Sequence, residues 1–218
     1  MKMKKSYLLF VFTFVVFSLS LLTACSKEGD LAQLSKNYLD ANYAYYYDTA
    51  DVEAFEKTLD DIALPDLKKE KLEAAQVFKK ALSDGYFEAG SSQIPLADFY
   101  KGFLENKKQE IQMEISPVYD DLNPERKDYK YVFVRTTEKY TNADGSIDEI
   151  LSHIRIDNYF IQKVDDQWKI YSINEVLSSP YSTENVTKPF GDKDISFSPY
   201  KSRTVTLEDI FKNFKIEP

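Results

Sequence analysis

The chain predicts an α+β domain in which N-terminal helices pack on a curved antiparallel sheet. Three observations carry that reading. Apolar residues recur every three to four positions from Leu31 to about Leu104. From Ile111 to Ile173 they alternate with polar residues at every second position. Short clusters of turn-forming residues separate the members of the second set. A helical period followed by a strand period is the order of an α+β fold rather than of alternating βα units.

Taken in order, the first helix starts near Asp30, a suitable N-cap, and Leu31, Leu34, Tyr38, Ala41 and Tyr45 follow helical spacing to about Tyr47. Asp51 caps a second helix, with Val52, Phe55, Leu59 and Ile62 on one face. Pro65 opens a third, along which Leu67, Lys71, Ala74, Phe78 and Leu82 repeat, and Asp84-Gly85 stops it. A shorter helix after Pro95 turns Leu96, Phe99 and Phe103 inward.

Strands follow. Ile111, Met113 and Ile115 alternate with Gln112, Glu114 and Ser116, and Pro117 marks an edge or a bulge. Residues 129–134 are rich in aromatic and β-branched side chains, and Asn142-Ala143-Asp144-Gly145-Ser146 has the composition of a hairpin turn. In the next strand Ile150, Ser152, Ile154, Ile156, Asn158 and Phe160 share a face. Asp165-Asp166 makes a tight turn into Trp168–Ile173. Pro180, Pro189 and Pro199 then predict an extended tail over 178–218. It closes with a short helix from Thr206 to Phe214, with Leu207, Ile210, Phe211 and Phe214 at helical spacing.

The stretch Val164-Asp165-Asp166-Gln167-Trp168-Lys169-Ile170 resembles the last hairpin of the NTF2-like family. The resemblance spans about residues 30–177. It implies a sheet wrapped round helices as a cone, sometimes lined by acid–base groups, with an open sheet face through which two copies can pair. That family usually places a strand between its helices. Here only Gly90-Ser91-Ser92-Gln93-Ile94 offers room for a very short one. A cystatin-like sheet on helices is the neighbouring architecture.

The N-terminus carries an address. Lys2, Lys4 and Lys5 precede an apolar run from Tyr7 to Leu22 and then small residues. That is the order of an export signal. The run falls short of the ~20 apolar residues that a spanning helix needs, and Ser18, Ser20 and Thr23 dilute its end. Leu22-Thr23-Ala24-Cys25 resembles the lipobox of bacterial lipoproteins. The resemblance implies that residues 1–24 are removed, that Cys25 carries a diacylglycerol, and that residues 25–29 tether the domain to the outer face of the cell membrane. Two acyl chains meet the two-signal requirement for stable anchoring. Abundant Lys, Asn, Tyr and Ile with few Gly and Ala fit a low-GC Gram-positive source.

Composition narrows the function. Loss of residues 1–24 removes three lysines and no acid, so the formal charge moves from −8 to −11. Without a basic cluster, such a surface is a poor partner for nucleic acid. Cys25 is the one cysteine, so its acylation leaves no disulfide, thiol nucleophile or thiolate metal site. The acidic pairs Asp60-Asp61, Asp120-Asp121 and Asp165-Asp166 lack the spacing of a metal loop. Phosphate-loop, dinucleotide and serine-nucleophile motifs are absent, so no cofactor and no enzymatic activity is expected.

Two features remain as candidate binding residues. His153 is the sole histidine and shares a strand face with Leu151, Arg155 and Asp157. Four residues along a strand span roughly 13 Å, so His153 and Asp157 do not touch. If that face is solvated they are surface positions. Tyr43, Tyr45, Tyr46 and Tyr47 crowd the end of the first helix and span more than one face, so some rings meet solvent or another element. Three functions stay open: a surface module binding a protein, peptide or envelope component, a small-ligand binder, isomerase or hydrolase using a cone pocket, and an immunity or exclusion lipoprotein. A homodimer is compatible with each.

Overall fold

Helix α1 covers residues 31–44 in the computed structural model, which describes residues 31–181 and 195–217. The signal, the Leu22–Cys25 stretch, the tether, the Asp30 cap and Pro189 lie outside the described residues. Helix α1 ends in a π turn, Tyr45–Thr49, closed by the Ala50 N–H donating to the Tyr45 carbonyl at 3.0 Å. The wider turn reorients the rings that follow it.

Helix α2 is Val52–Ile62, and the Asp51 side chain accepts the Ala54 N–H at 3.1 Å, as a cap should. Asp51→Ala is expected to cost about 1 kcal/mol, read from the urea midpoint of reversible unfolding, and no change would show that this cap is dispensable. Helix α3, Pro65–Asp84, starts on proline and stops where Gly85 turns left-handed at φ +80°. Its inner face buries Ala75 and Ala81, where Ala74 was the expected alanine.

Strands β1 (Tyr86–Ala89) and β2 (Ser92–Pro95) then form a separate two-stranded hairpin. It occupies the place where at most one very short strand was expected. Helix α4, Leu96–Leu104, buries Leu96 and Leu104, whereas Phe103 is exposed rather than inward.

The main sheet holds β3 (Lys107–Ile115), β4 (Tyr119–Asp120), β5 (Tyr129–Asn142), β6 (His153–Val164), β7 (Gln167–Pro180) and β8 (Ser198–Thr206). Its order is β7-β6-β5-β3-β8, all antiparallel, with β4 on the start of β5. Asp165 and Asp166, both at positive φ, make the tight turn between β6 and β7. Bulges at Met113/Glu114, Ile156/Asp157 and Phe160/Ile161 bend the sheet.

The tail departs from the expected extended coil. β7 runs through to Pro180, and β8 is an edge strand of the same sheet, paired with β3. Helix α5, Leu207–Phe214, follows with a capping box between Thr206 and Asp209, and it buries Ile210 while Phe214 meets Phe78 edge-on.

Two apolar layers flank the sheet. The larger lies under the helices and joins Tyr38, Tyr45, Phe55, Leu59, Phe78, Ile111, Met113, Val132, Val134, Tyr159, Ile161 and Ile170. A smaller one on the outer face joins Phe133, Ile156 and Ile195, with Tyr119, Ile154, Leu177 and Phe197 against them. Returning chain from β8's approach therefore covers the apolar centre of the outer face. Ile150, placed on the long strand with Ile154 and Ile156 by its spacing, precedes β6 and is 95% exposed.

Candidate functional site

Tyrosines at the end of α1 do not make one exposed patch. Tyr45 is buried against Phe55 (5.2 Å, stacked) and Phe78 (5.9 Å), and its hydroxyl donates to the Ala75 carbonyl at 2.5 Å. Tyr46 lies edge-on to it at 4.9 Å and is half-buried. Tyr43 turns the other way, onto the sheet, stacked on Tyr47 at 5.6 Å. Helical spacing makes this split, since residues two apart point about 200° from each other, and both rings still belong to the one inner core. Arg203 of β8 locks it, with its guanidinium over the Tyr47 ring and Nη2 donating to Asp48 Oδ1 at 2.6 Å.

Beside α1, at the end of the sheet near the start of β6, the inner face changes from apolar to polar. On β5, Val132 and Val134 give way to Thr136 and Glu138. Tyr159 and Ile161 on β6 give way to Asp157, Arg155 and His153. Antiparallel register sets Thr136 opposite Arg155 and Glu138 opposite His153. Tyr38 and Tyr43 of α1 lie above, and Gln109 of β3 stands beside Glu138.

Of His153, Arg155 and Asp157, only Asp157 departs from an ordinary surface position. Their face is the helix-covered one, because β6 buries both faces and its Ile154/Ile156 side belongs to the outer layer. The Asp157 side chain is only 9% exposed, Arg155 is 41% exposed and His153 38%. Arg155 and His153 stand at the part-exposed mouth of the cleft, and the Asp157 carboxylate is buried at its floor.

The bonding is asymmetric. Arg155 Nε donates to Asp157 Oδ2 at 2.9 Å, while among the described residues neither Nη donates to anything. Glu138 Oε2 accepts from Gln109 Nε2 at 2.6 Å, and Oε1 stands 3.9 Å from His153 Nε2. His153 Nδ1 lies 3.1 Å from the Leu151 carbonyl; a carbonyl only accepts, so Nδ1 carries a proton. Thr136 is almost fully buried, with its hydroxyl beside that of Tyr43.

Burial raises the Asp157 carboxyl above its ordinary range, and the Arg155 guanidinium pulls it part of the way back. The Tyr43 hydroxyl is pushed up to about 12, by burial first and by the nearby Glu138 carboxylate second. Burial likewise raises Tyr38 and Tyr159, so all three phenols are neutral donors at physiological pH.

Of the residues singled out from sequence, the structure brings Tyr43, His153 and Arg155 to this cleft. Tyr45 and Tyr46 belong to the helix layer, and Tyr47 reaches the cleft's upper edge through Gln109, 3.5 Å away. Glu138, Thr136, Gln109, Tyr38 and Asp157 complete the cleft. Only strand register could have pointed to Glu138 and Thr136. Among the described residues no group of three His, Cys, Asp or Glu side chains is placed to hold a metal ion, and no helix is long and apolar enough to cross a membrane. No family model, no curated protein and no solved structure matches this chain.

Proposed function

We propose that the protein is a lipid-anchored, extracytoplasmic binding module, and that the cleft beside α1 is where it takes its ligand. The anchor rests on the resemblance of Leu22-Thr23-Ala24-Cys25 to a lipobox after a charged and then apolar N-terminus. The binding reading rests on one observation: in the cleft, among the described residues, the part-exposed Arg155 donates through Nε alone and keeps both Nη groups unused. Buried polar groups are otherwise matched in folded proteins, so a donor set left open at a cleft mouth is what a polar ligand would complete. The proposed ligand is a small molecule or peptide group from the envelope or medium.

The anchor is tested in producing cells fed an alkyne-tagged palmitate. The wild-type chain is expected to take up label and to appear in the membrane fraction as a processed form. Cys25→Ser is expected to take up none and to persist as the longer precursor. An unlabelled wild-type chain would remove the anchor from this reading.

A further inference from the structure

Among the described residues two large apolar side chains stand almost wholly in solvent, Leu122 at 97% and Ile150 at 95%. They mark opposite ends of the main sheet. Ile150 precedes His153, the first residue of β6, and shares an end with the mouth of the cleft. Leu122 follows β4 in the segment that leads to Tyr129, the first residue of β5. Tyr129 is paired with Gln162, near the last residue of β6. The Lys163 N–H donates to the Asp128 carbonyl at 2.8 Å, which holds this segment beside the β6–β7 turn. Nine steps along β6, from Gln162 to His153, set the two ends roughly 30 Å apart.

Helix α1 starts at the Leu122 end. Its Tyr38 meets Tyr159 of β6 edge-on at 5.8 Å. Beyond its last turn the Tyr47 hydroxyl accepts from Gln109 Nε2 at 3.5 Å, and Gln109 is paired with Tyr140 near the end of β5. The helix therefore runs towards the cleft end. Leu31 lies seven residues before Tyr38, about 10 Å back along the axis, which is the level of Gln162 on β6. Leu31 is six residues from Cys25, and six residues reach about 20 Å at most.

We propose that the protein stands on its membrane by this end, with Leu122 inserted in the lipid–water interface and the mouth of the cleft turned to the medium. The proposal rests on the reading of Cys25 as the lipid anchor and adds which surface meets the bilayer. The tether is shorter than the sheet, so an upright domain brings Leu122 to the lipid and keeps Ile150 away from it. Leu122 packs in no core, and insertion removes its side chain from water. Val164 at the same end is 37% exposed and adds to the contact. One leucine would not recruit a free protein. The acyl chains already hold the domain at the surface, so this second contact forms at high effective concentration. Asp120, Asp121 and Glu125 stand with Arg126 and Lys127 around Leu122, so the contact is apolar rather than a response to anionic headgroups.

With Cys25 acylated, Leu122→Cys and Ile150→Cys each offer a single thiol for an environment-sensitive fluorophore. Both positions are exposed, so neither label disturbs the core. The full lipidated proteins are placed in phosphatidylcholine vesicles, with and without lipids that carry a quencher at the interface. The fluorophore at position 122 is expected to shift to the blue and to lose intensity to the quencher. The one at position 150 should keep its aqueous spectrum and its intensity. Quenching at position 150, alone or together with 122, would mean a domain turned over or lying on its side, and an unquenched 122 a domain held clear of the bilayer. Each of these results overturns the proposal. Flotation of the vesicles separates such a failure from loss of the anchor. Protein that floats while position 122 stays in water keeps the anchor and removes the standing end; protein that does not float removes both.

Discussion

Tyr45→Ala is expected to lower the unfolding free energy by about 4 kcal/mol, the usual cost of truncating a buried aromatic ring to a methyl group. That is a large fraction of the 5–15 kcal/mol that holds a typical domain together. The ring is 1% exposed, stacks on Phe55 of α2 and meets Phe78 of α3 edge-on, so one side chain ties three helices. Truncation would open a cavity at the junction and remove the hydroxyl that donates to the Ala75 carbonyl. Tyr45→Phe keeps the ring and loses only that bond, at a cost of about 1 kcal/mol. Urea unfolding followed by far-UV circular dichroism measures both. A deficit below about 1 kcal/mol for the alanine variant would mean that the π turn is not anchored through this ring.

Arg155→Ala is expected to cost about 3 kcal/mol at pH 7, because it strands the Asp157 carboxylate in a buried site without its cation. The sign of the pH dependence follows from the direction of the shift. Burial raises the Asp157 carboxyl above the ordinary 3.8, and Arg155 opposes that rise. Without Arg155 the carboxyl climbs further. A carboxyl whose folded pKa exceeds its unfolded one destabilises the fold while ionised, and the penalty fades as pH falls from that folded pKa to the unfolded value. The gap between variant and wild type should therefore be widest at neutral pH and should shrink near pH 4. Urea unfolding of both proteins at the two pH values measures the gap. An equal gap at both would place the cost elsewhere than Asp157.

Local chemistry was the part of the fold written most plainly in the sequence. The Asp51 cap, the Pro65 start, the Gly85 stop, the Asp165-Asp166 turn and the Thr206–Phe214 helix each depend on a few neighbouring residues, and each stands where those residues place it. The β1–β2 hairpin was hidden because its four-residue strands are largely exposed and show no alternation. β8 was hidden for a related reason. As an edge strand with Pro199, Lys201 and Arg203 it buries only Val205, so no apolar period marks it.

The cleft was half legible. His153, Arg155 and Asp157 share a face by simple alternation, but alternation does not say which face meets the helices when apolar residues occupy both. Ile154 and Ile156 on the outer layer match Tyr159 and Ile161 on the inner one. Glu138 and Thr136 enter only through the pairing of β5 with β6, across a connection of residues 143–152 whose length no local pattern sets. The end of α1 shows a different limit. The helix widens there into a π turn over Tyr45–Thr49, and nothing in the helical period marks that widening.

The pairing of β3 with β8 joins Glu110 to Thr204, and it fills the sheet with a strand drawn from near the C-terminus. Val205 and Ile210, both buried in the inner layer, arrive with it. Contacts so distant in sequence close late, because the loop entropy must be met before they form. A chain emerging N-terminus first thus stays open until almost its whole length is present. If the chain is exported as proposed, this wiring would work as a timer, with the domain completing itself on the far side of the channel.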